Sequence, residues 1–499
     1  MMQHIGEFFS ELDLENSRFL VIGKGPSVAR LKDTSRFDYT VSLNHALRDY
    51  SVDFSHIIDL DVVDSLDQII LDNAKYLIMP LYPHVNSAPS KKSLLDFIED
   101  YPVLRALNDQ NRLLWYNLGT KKKSGNSLPV VPGGYFSGDV IVSLLSSNGA
   151  RNFTMAGVDG GKTYADGFSD LNQSTLLSNG RSSFDIQFDN IRRFIMERNL
   201  NYNHIEDEYP VKVYVATTEA QMLATKVLEY SIRKHSSVPV EVVAIHELGI
   251  EYKEPKDVEN RQRTPFSFQR FLIPSICNYQ GRAIYLDSDM QVFTDIKELW
   301  SLPMGGDTLL AAKSRKGEGR KPHFSVMLID CERNAWDINK IIDCLDNNNF
   351  SYSDLMDGMV VSEKPSAGIS CTWNSLEYFK EGETKLIHYT DMKTQPWVST
   401  KNPFEEVWVR ELISAVNDGS ISIDYIRSHI SNGWVRPSLE DQVTLGIESS
   451  KGLSSDILAK DRDFSPPYNE LICGYSDVSS NILKRLWVKV IKTARYLKR

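Results

Sequence analysis

The apolar runs of this chain are short, and they alternate with segments of helical spacing. "FLVIG" (19–23), "YTVSLN", "SHIIDL", "KYLIMP", "RLLWYNL" and "NFTMAGVD" read as strands. Between the last two, "SGDVIVSLLSSNGA" keeps helical spacing and has a glycine near its end. Strands alternating with helices imply a mainly parallel sheet covered on both faces. "FDIQFDNIRRFIMERN" (184–199) fits an amphipathic helix that closes this first unit. A polar stretch, "NYNHIEDEYP", ends in Pro210 and reads as a linker, after which the pattern restarts. "VKVYVATT" is a strand, "AQMLATKVLEYSIRKH" a helix and "VPVEVVAIHE" a strand; "FSFQRFLIPSIC" is a helix made irregular by its proline, and "RAIYLDSD" is the next strand. A chain of 499 residues is too long for one ordinary core. The expected fold class is α/β, with two Rossmann-like domains at 1–206 and 207–450 and an extension at 451–499.

Charge and cysteine usage narrow the function classes. A formal net charge of −10 argues against nucleic acid as the main partner, because phosphate backbones need a basic surface. The five cysteines are scattered, with no C-x-x-C pair, as suits free thiols in a reducing compartment. The first residues lack the basic-then-apolar layout of a secretory signal, and no run approaches the roughly 18 apolar residues that span a bilayer. A cytoplasmic protein is expected. The last residues, "NILKRLWVKVIKTARYLKR" (481–499), combine helical apolar spacing with Lys484, Lys492, Arg495, Lys498 and Arg499 and no acid. A basic amphipathic helix with Trp487 suits peripheral docking on an anionic inner-membrane surface; packing on its own domain is the competing reading.

The chemistry concentrates in "IYLDSDMQVF" (284–293). Asp287 and Asp289 stand at the carboxyl end of a strand, where ligands of α/β sheets bind. Residues i and i+2 of extended chain project to one side, so both carboxylates can converge on a cation. Oxygen ligands suit Mg²⁺ or Mn²⁺ bridging a substrate phosphate. Alone, the pair fits a solvated turn better than a metal site.

Around it, "VYVATT", "FSFQRFLIP", "YLDSDMQVF", "HFSVMLID" and "LIHYTDMKTQPW" follow one another between about 211 and 400. In that order they resemble the nucleotide-sugar glycosyltransferases of family 8, and within it the bacterial lipooligosaccharide galactosyltransferases. The resemblance implies a GT-A fold, a UDP-sugar donor, a Mn²⁺ or Mg²⁺ cofactor and a retaining hexosyl transfer. It makes His388 the third metal ligand, Lys393 a contact of the donor diphosphate, Arg270 a residue lying over the donor, and Thr217 and Thr218 neighbours of the uracil and ribose. Two places depart from the family pattern. His323 stands where an asparagine facing the donor sugar is expected. "SDLMDGM" replaces a D-Q-D stretch, so that Asp354 and Asp357 flank Leu355 instead of a glutamine.

In the first half, "VIGKGPSV" (21–28), "VSLNHAL", "GYFSGDVIVSLL" and "FTMAGVDG" fall in an order similar to that of bacterial CMP-sialic-acid transferases and motility-associated transferases. That resemblance implies a CMP-sugar site built from Gly23, Gly25, Pro26, Ser27, Asn44, Ser137 and Gly138, with Asp159 at the next strand end. The histidine that such enzymes place downstream has no match before His204, in the polar linker; His45, His56 and His84 match no motif. The expected function is a bifunctional bacterial glycosyltransferase for surface polysaccharide or lipooligosaccharide, acting on an oligosaccharide or lipid-linked acceptor. A single active second domain with a binding module in front, or a carbohydrate- or nucleotide-binding protein without catalysis, are the alternatives.

Overall fold

The computed structural model of the protein describes residues 2–86, 88–119, 128–171, 183–205, 210–315 and 322–467. The basic segment 481–499 and Cys473 lie outside them. Two compact units divide the chain: Met1–Glu208 with Glu298–Thr308, and Tyr209–Lys297 with Leu309–Arg499. The short excursion 298–308 was not legible in the sequence. Arg192 holds it within the first unit, donating to the carbonyls of Pro303 (2.9 Å) and Met304 (3.1 Å) and to the Asp307 carboxylate (2.7 Å). A buried guanidinium needs this many acceptors to offset its lost hydration.

The main sheet of the first unit is wholly parallel, with a separate antiparallel pair at His84–Val85 and Ala88–Pro89. Along its main path the strands run Gln3–His4, Leu113–Leu118, Ala74–Pro80, Val52–His56, Tyr39–Leu43, Arg18–Ile22, Asn152–Ala156 and Asn201–His204. Continuous apolar runs such as Phe19–Ile22 are buried on both faces, as a covered parallel sheet requires. The strand order reverses between Arg18–Ile22 and Asn152–Ala156, which opens a crevice at their carboxyl ends. Asn201–His204, read above as linker, is the edge strand of this sheet. Only Tyr202 of it is buried, so its composition carries no alternation strong enough to reveal a strand.

The crevice explains the glycines of "GKGPS". Gly23 and Gly25 donate their N–H groups to the carbonyls of Ala156 (2.7 Å) and Gly157 (2.8 Å). A Cβ on Gly23 would come within 2.2 Å of the Gly157 oxygen. The backbones can approach only without side chains. Ser27 is 1% exposed; its N–H donates to Asp159 Oδ2 (2.7 Å), its hydroxyl donates to the same carboxylate, and it accepts from the Gly157 N–H (2.7 Å). His204 Nε2 lies 3.0 Å from Asp159 Oδ1. The loop that resembles an anion cradle thus already holds an anion, the chain's own Asp159.

In the second unit the sheet is mixed. Its order is Val240–Ala244, Val211–Ala216, Arg282–Asp287, His323–Asp330, Leu309–Ala312, Pro365–Ile369, with His323–Asp330 antiparallel to both neighbours. A second, three-stranded sheet joins Met290–Val292, Leu386–His388 and Ser375–Leu376. Behind it pack Trp397 and Trp408, both fully buried with ring centroids 5.3 Å apart, together with Ile387, Leu412 and Leu439. Burial of side chains this size stabilises by roughly 1.5–3 kcal/mol each, which fixes the strand carrying His388. The four cysteines among the described residues are free. Among the same residues no helix is long and apolar enough to cross a membrane.

Asp159 gives the fold a pH signature. Burial pushes its carboxyl up, but the hydrogen bonds from His204 and Ser27 outweigh burial and hold it below the ordinary value. A depressed folded-state pKa contributes stability above the unfolded value of about 3.9, and loses it as pH falls through the folded value. Asp159→Asn should therefore lower stability by about 1–3 kcal/mol at neutral pH. In urea titrations its deficit against wild type should shrink steadily once the pH falls below about 3.9; a deficit independent of pH would contradict the assignment.

Candidate functional site

Asp287 closes the strand Arg282–Asp287, which runs parallel to Val211–Ala216 with Asp287 opposite Ala216. Ser288 then donates its N–H to Ala216 O (3.1 Å) and its hydroxyl to Gln221 Oε1 (2.6 Å), turning the chain tightly into Met290–Val292. That short strand pairs antiparallel with Leu386–His388, Met290 opposite His388, and Tyr389 N–H donates to Asp289 O (2.8 Å). Strand pairing therefore brings together residues about a hundred positions apart. Asp287, Asp289 and His388 each present one ligand atom, all within 4.8 Å of one another, and are 8%, 7% and 6% exposed.

The cluster presents the oxygen and nitrogen atoms that a divalent cation takes as ligands. His388 Nε2 lies 3.0 Å from Asp289 Oδ1 and 3.9 Å from Asp287 Oδ2. The 3.0 Å pair is not aligned as a hydrogen bond, and Asp289 Oδ1 is buried without a hydrogen-bond partner among the described residues. A separation of about 3 Å is that of neighbouring ligands in an octahedral shell with bonds of about 2.1 Å. On the far side of the ring, His388 Nδ1 meets Asn374 Oδ1 at 3.0 Å, and Asn374 Nδ2 donates to Ser325 Oγ (3.0 Å). With its amide donating to Ser325, Asn374 presents its carbonyl to the ring; Nδ1 then carries a proton and Nε2 faces the two carboxylates.

Charge in the cluster is balanced by few groups. Burial raises the Asp287 carboxyl, against the pull of Arg270 and His388. Tyr285 donates its hydroxyl to Asp287 Oδ1. Arg270 is 3.8 Å from Asp287 Oδ1, stacks over the Tyr285 ring at 4.7 Å and donates to Phe324 O (2.8 Å). Gln395, fully buried, donates to Asp289 Oδ2 (2.9 Å) and Tyr389 O (2.8 Å). Sequence reasoning did not single out Asn374, Tyr285 or Gln395. Their only signals were position, Tyr285 two residues before Asp287 and Gln395 inside "KTQPW".

The remaining expected residues are placed as follows. Thr217 is fully buried, with its hydroxyl on Thr225 (2.7 Å) and its backbone gripped by Gln269 at both N–H and carbonyl (3.0 and 2.9 Å). Thr218 is half-buried at the same strand end. Lys393 is exposed in the turn after His388. His323 opens the strand His323–Asp330, opposite Ala312. Asp354 caps the helix Tyr352–Met356, accepting from Ser351 N–H (2.9 Å) and hydroxyl (2.7 Å), and Asp357 accepts from Ser353 (2.6 Å). Both acids are exposed, whereas Leu355 between them is fully buried in the core with Tyr352 and Phe268. In the first unit, Asn44 donates to Ser137 (3.2 Å), and Gly138 packs against Gln187. Gly25, Pro26 and Ser27 form the loop that Asp159 occupies.

Residues 159–343 match the sequence profile of glycosyl transferase family 8. The profile takes in Asp287 and Asp289 and stops before His388; it also begins inside the first compact unit. Protein CDI of Arabidopsis thaliana is 26% identical over 238 residues, an alignment covering 42% of this chain and 89% of that protein. Among solved structures, the bifunctional glycosyltransferase WbbM is similar at 15% identity and a TM-score of 0.31, covering 46% of this chain and 57% of that one. GlyE of Streptococcus pneumoniae TIGR4 shares 20% identity at a TM-score of 0.31 (40% and 60% covered). The galactosyltransferase LgtC, in complex with donor and acceptor sugar analogs, shares 12% at 0.30 (41% and 96%). The alignments with WbbM and GlyE thus span less than two thirds of those chains.

If Asn374 fixes the tautomer of His388, its loss must be felt at the metal. Asn374→Ala should weaken Mn²⁺ binding about 10–100-fold by calorimetry, the usual scale for such supporting groups. An unchanged affinity would show that His388 needs no such support.

Proposed function

We propose that the second unit is a metal-dependent, retaining hexosyltransferase that uses a UDP-sugar. The convergence of Asp287, Asp289 and His388 in one buried cluster carries this reading, because each presents a ligand atom within 4.8 Å of the others. They would hold Mn²⁺ or Mg²⁺, which supplies Lewis-acid stabilisation of the leaving diphosphate. Lys393, exposed and five residues past His388, adds a mobile positive charge for that diphosphate. Arg270 favours the ionised form of Asp287 against the effect of burial, and Tyr285 and Gln395 fix the carboxylate oxygens they touch. Thr218 and the backbone of Thr217, pinned by Gln269, form the edge against which the nucleoside lies. His323 is the candidate for reading the sugar. We give Asp354 and Asp357 no part in it, since the first caps its own helix and the second accepts from Ser353 of the same helix.

The first unit is a second nucleotide-sugar module, with a CMP-sugar as the donor suggested by its motif order. The acceptor is an oligosaccharide or lipid-linked glycan of a bacterial surface polymer or lipooligosaccharide. Peripheral contact with the inner membrane through 481–499 completes the proposal.

Hydrolysis of UDP-sugars across a donor panel tests the core of it. Wild-type turnover should require Mn²⁺ and vanish with EDTA, and Asp289→Ala should lower it by about 10²–10³-fold while leaving the melting temperature of the metal-free chain close to wild type. Metal-independent hydrolysis, or none on any donor, would turn the reading toward a binding protein.

A further inference from the structure

Each aspartate of the buried cluster has one oxygen engaged and the other turned toward His388. Tyr285, fully buried, donates its hydroxyl to Asp287 Oδ1, and Arg270 approaches the same oxygen at 3.8 Å. Asp287 Oδ2 stands 3.9 Å from His388 Nε2. On Asp289 the labels are exchanged. Gln395 Nε2 donates to Oδ2 (2.9 Å), while Oδ1 lies 3.0 Å from His388 Nε2 and has no hydrogen-bond partner among the described residues.

Both holds are anchored from behind. The Gln395 amide sits between two acceptors, Asp289 Oδ2 and Tyr389 O, so only its NH₂ can face them. Its backbone is fixed on either side: Gln395 N–H donates to Asp391 O (3.0 Å), and the fully buried Arg436 donates from Nε to Pro396 O (3.0 Å) and from its own N–H to Trp397 O (2.9 Å). Asp289 is held at its main chain too, where its carbonyl accepts from Tyr389 N–H (2.8 Å). Tyr285 is fixed within the strand Arg282–Asp287, with Arg270 stacked on its ring. To grip a cation with both oxygens, either carboxylate would have to turn from its partner and strand a buried donor, which is costly.

The number of oxygens a carboxylate can offer decides which cation it suits. Ca²⁺ accepts roughly 6–8 oxygens and often takes two from one carboxylate, whereas Mg²⁺ demands a near-ideal octahedron with short bonds. We propose that Tyr285 and Gln395 are positioning residues that set the cation selectivity of this cluster: by occupying Asp287 Oδ1 and Asp289 Oδ2 they restrict each aspartate to one ligand oxygen, so that the site favours a small octahedral ion over Ca²⁺. The rest of that ion's shell is then kept for substrate oxygens and water. This rests on reading the cluster as the cation site of a transferase.

The test loads the full chain with Mn²⁺ and displaces it with Mg²⁺ or Ca²⁺, the freed Mn²⁺ being read by electron paramagnetic resonance. Wild type should reach half-displacement with less Mg²⁺ than Ca²⁺. In Tyr285→Phe and in Gln395→Leu the Ca²⁺ required, relative to Mg²⁺, should fall about tenfold, the scale on which such supporting groups act on metal ligands. A role in folding alone would weaken all three ions alike and leave the ratio where it was. Tyr285→Phe removes one hydroxyl and keeps the packed ring, so the test stands even where Gln395→Leu does not fold. A ratio unchanged in Tyr285→Phe or in folded Gln395→Leu, or a wild type indifferent between the two ions, would overturn the proposal and leave the cation site standing. A wild-type chain that binds no Mn²⁺ would bring down the transferase reading, and this proposal with it.

Discussion

Two aspartates and a histidine, buried within 4.8 Å of one another, are the constraint around which the second unit is organised. Carboxylates in such a place repel each other and lose hydration, so the fold must either neutralise them or leave room for a cation. It does a little of the first. Arg270 approaches Asp287 only to 3.8 Å, and Gln395 satisfies one oxygen of Asp289 while Oδ1 stays unpaired. What is left over is a directed demand for positive charge. The tryptophan-rich core behind Leu386–His388 and the Asn374–Ser325 link hold that demand in a fixed geometry.

The first unit solves the same problem differently. Asp159 also stands at a strand end, but Ser27 and His204 hydrogen-bond to it and close the account internally. A sequence motif that looks like an anion cradle is then a self-contained latch between two strands. Comparing the units shows why satisfaction of the polar groups, rather than the motif, distinguishes a site from a joint.

Much of this was legible in the sequence. Strand and helix alternation gave most of the first sheet and three strands of the second, because buried parallel strands are short apolar runs that few other structures use; Leu309–Ala312, Pro365–Ile369 and the antiparallel setting of His323–Asp330 were not read from it. Asp287 and Asp289 were visible as acids where a strand should end, and His388 through the family resemblance. Asn374, Tyr285 and Gln395 were not, since a single amide or phenol carries no spacing signal and acts only through contacts made across distant strands. Asp354 and Leu355 show the reverse. A loose match to an acidic motif concealed a capping box, in which Ser351 three residues before Asp354 was the local clue. Asn201–His204 was missed because an exposed edge strand needs no apolar pattern.

The central claim is that Asp287, Asp289 and His388 together hold one divalent cation at a nucleoside diphosphate. Electron paramagnetic resonance of the chain loaded with Mn²⁺ and UDP tests it most directly. A single bound Mn²⁺ should show nitrogen hyperfine coupling from the His388 ring and phosphorus coupling from UDP, with the nitrogen signal lost in His388→Ala. Mn²⁺ bound with no nitrogen coupling, or with coupling that survives His388→Ala, would contradict the account.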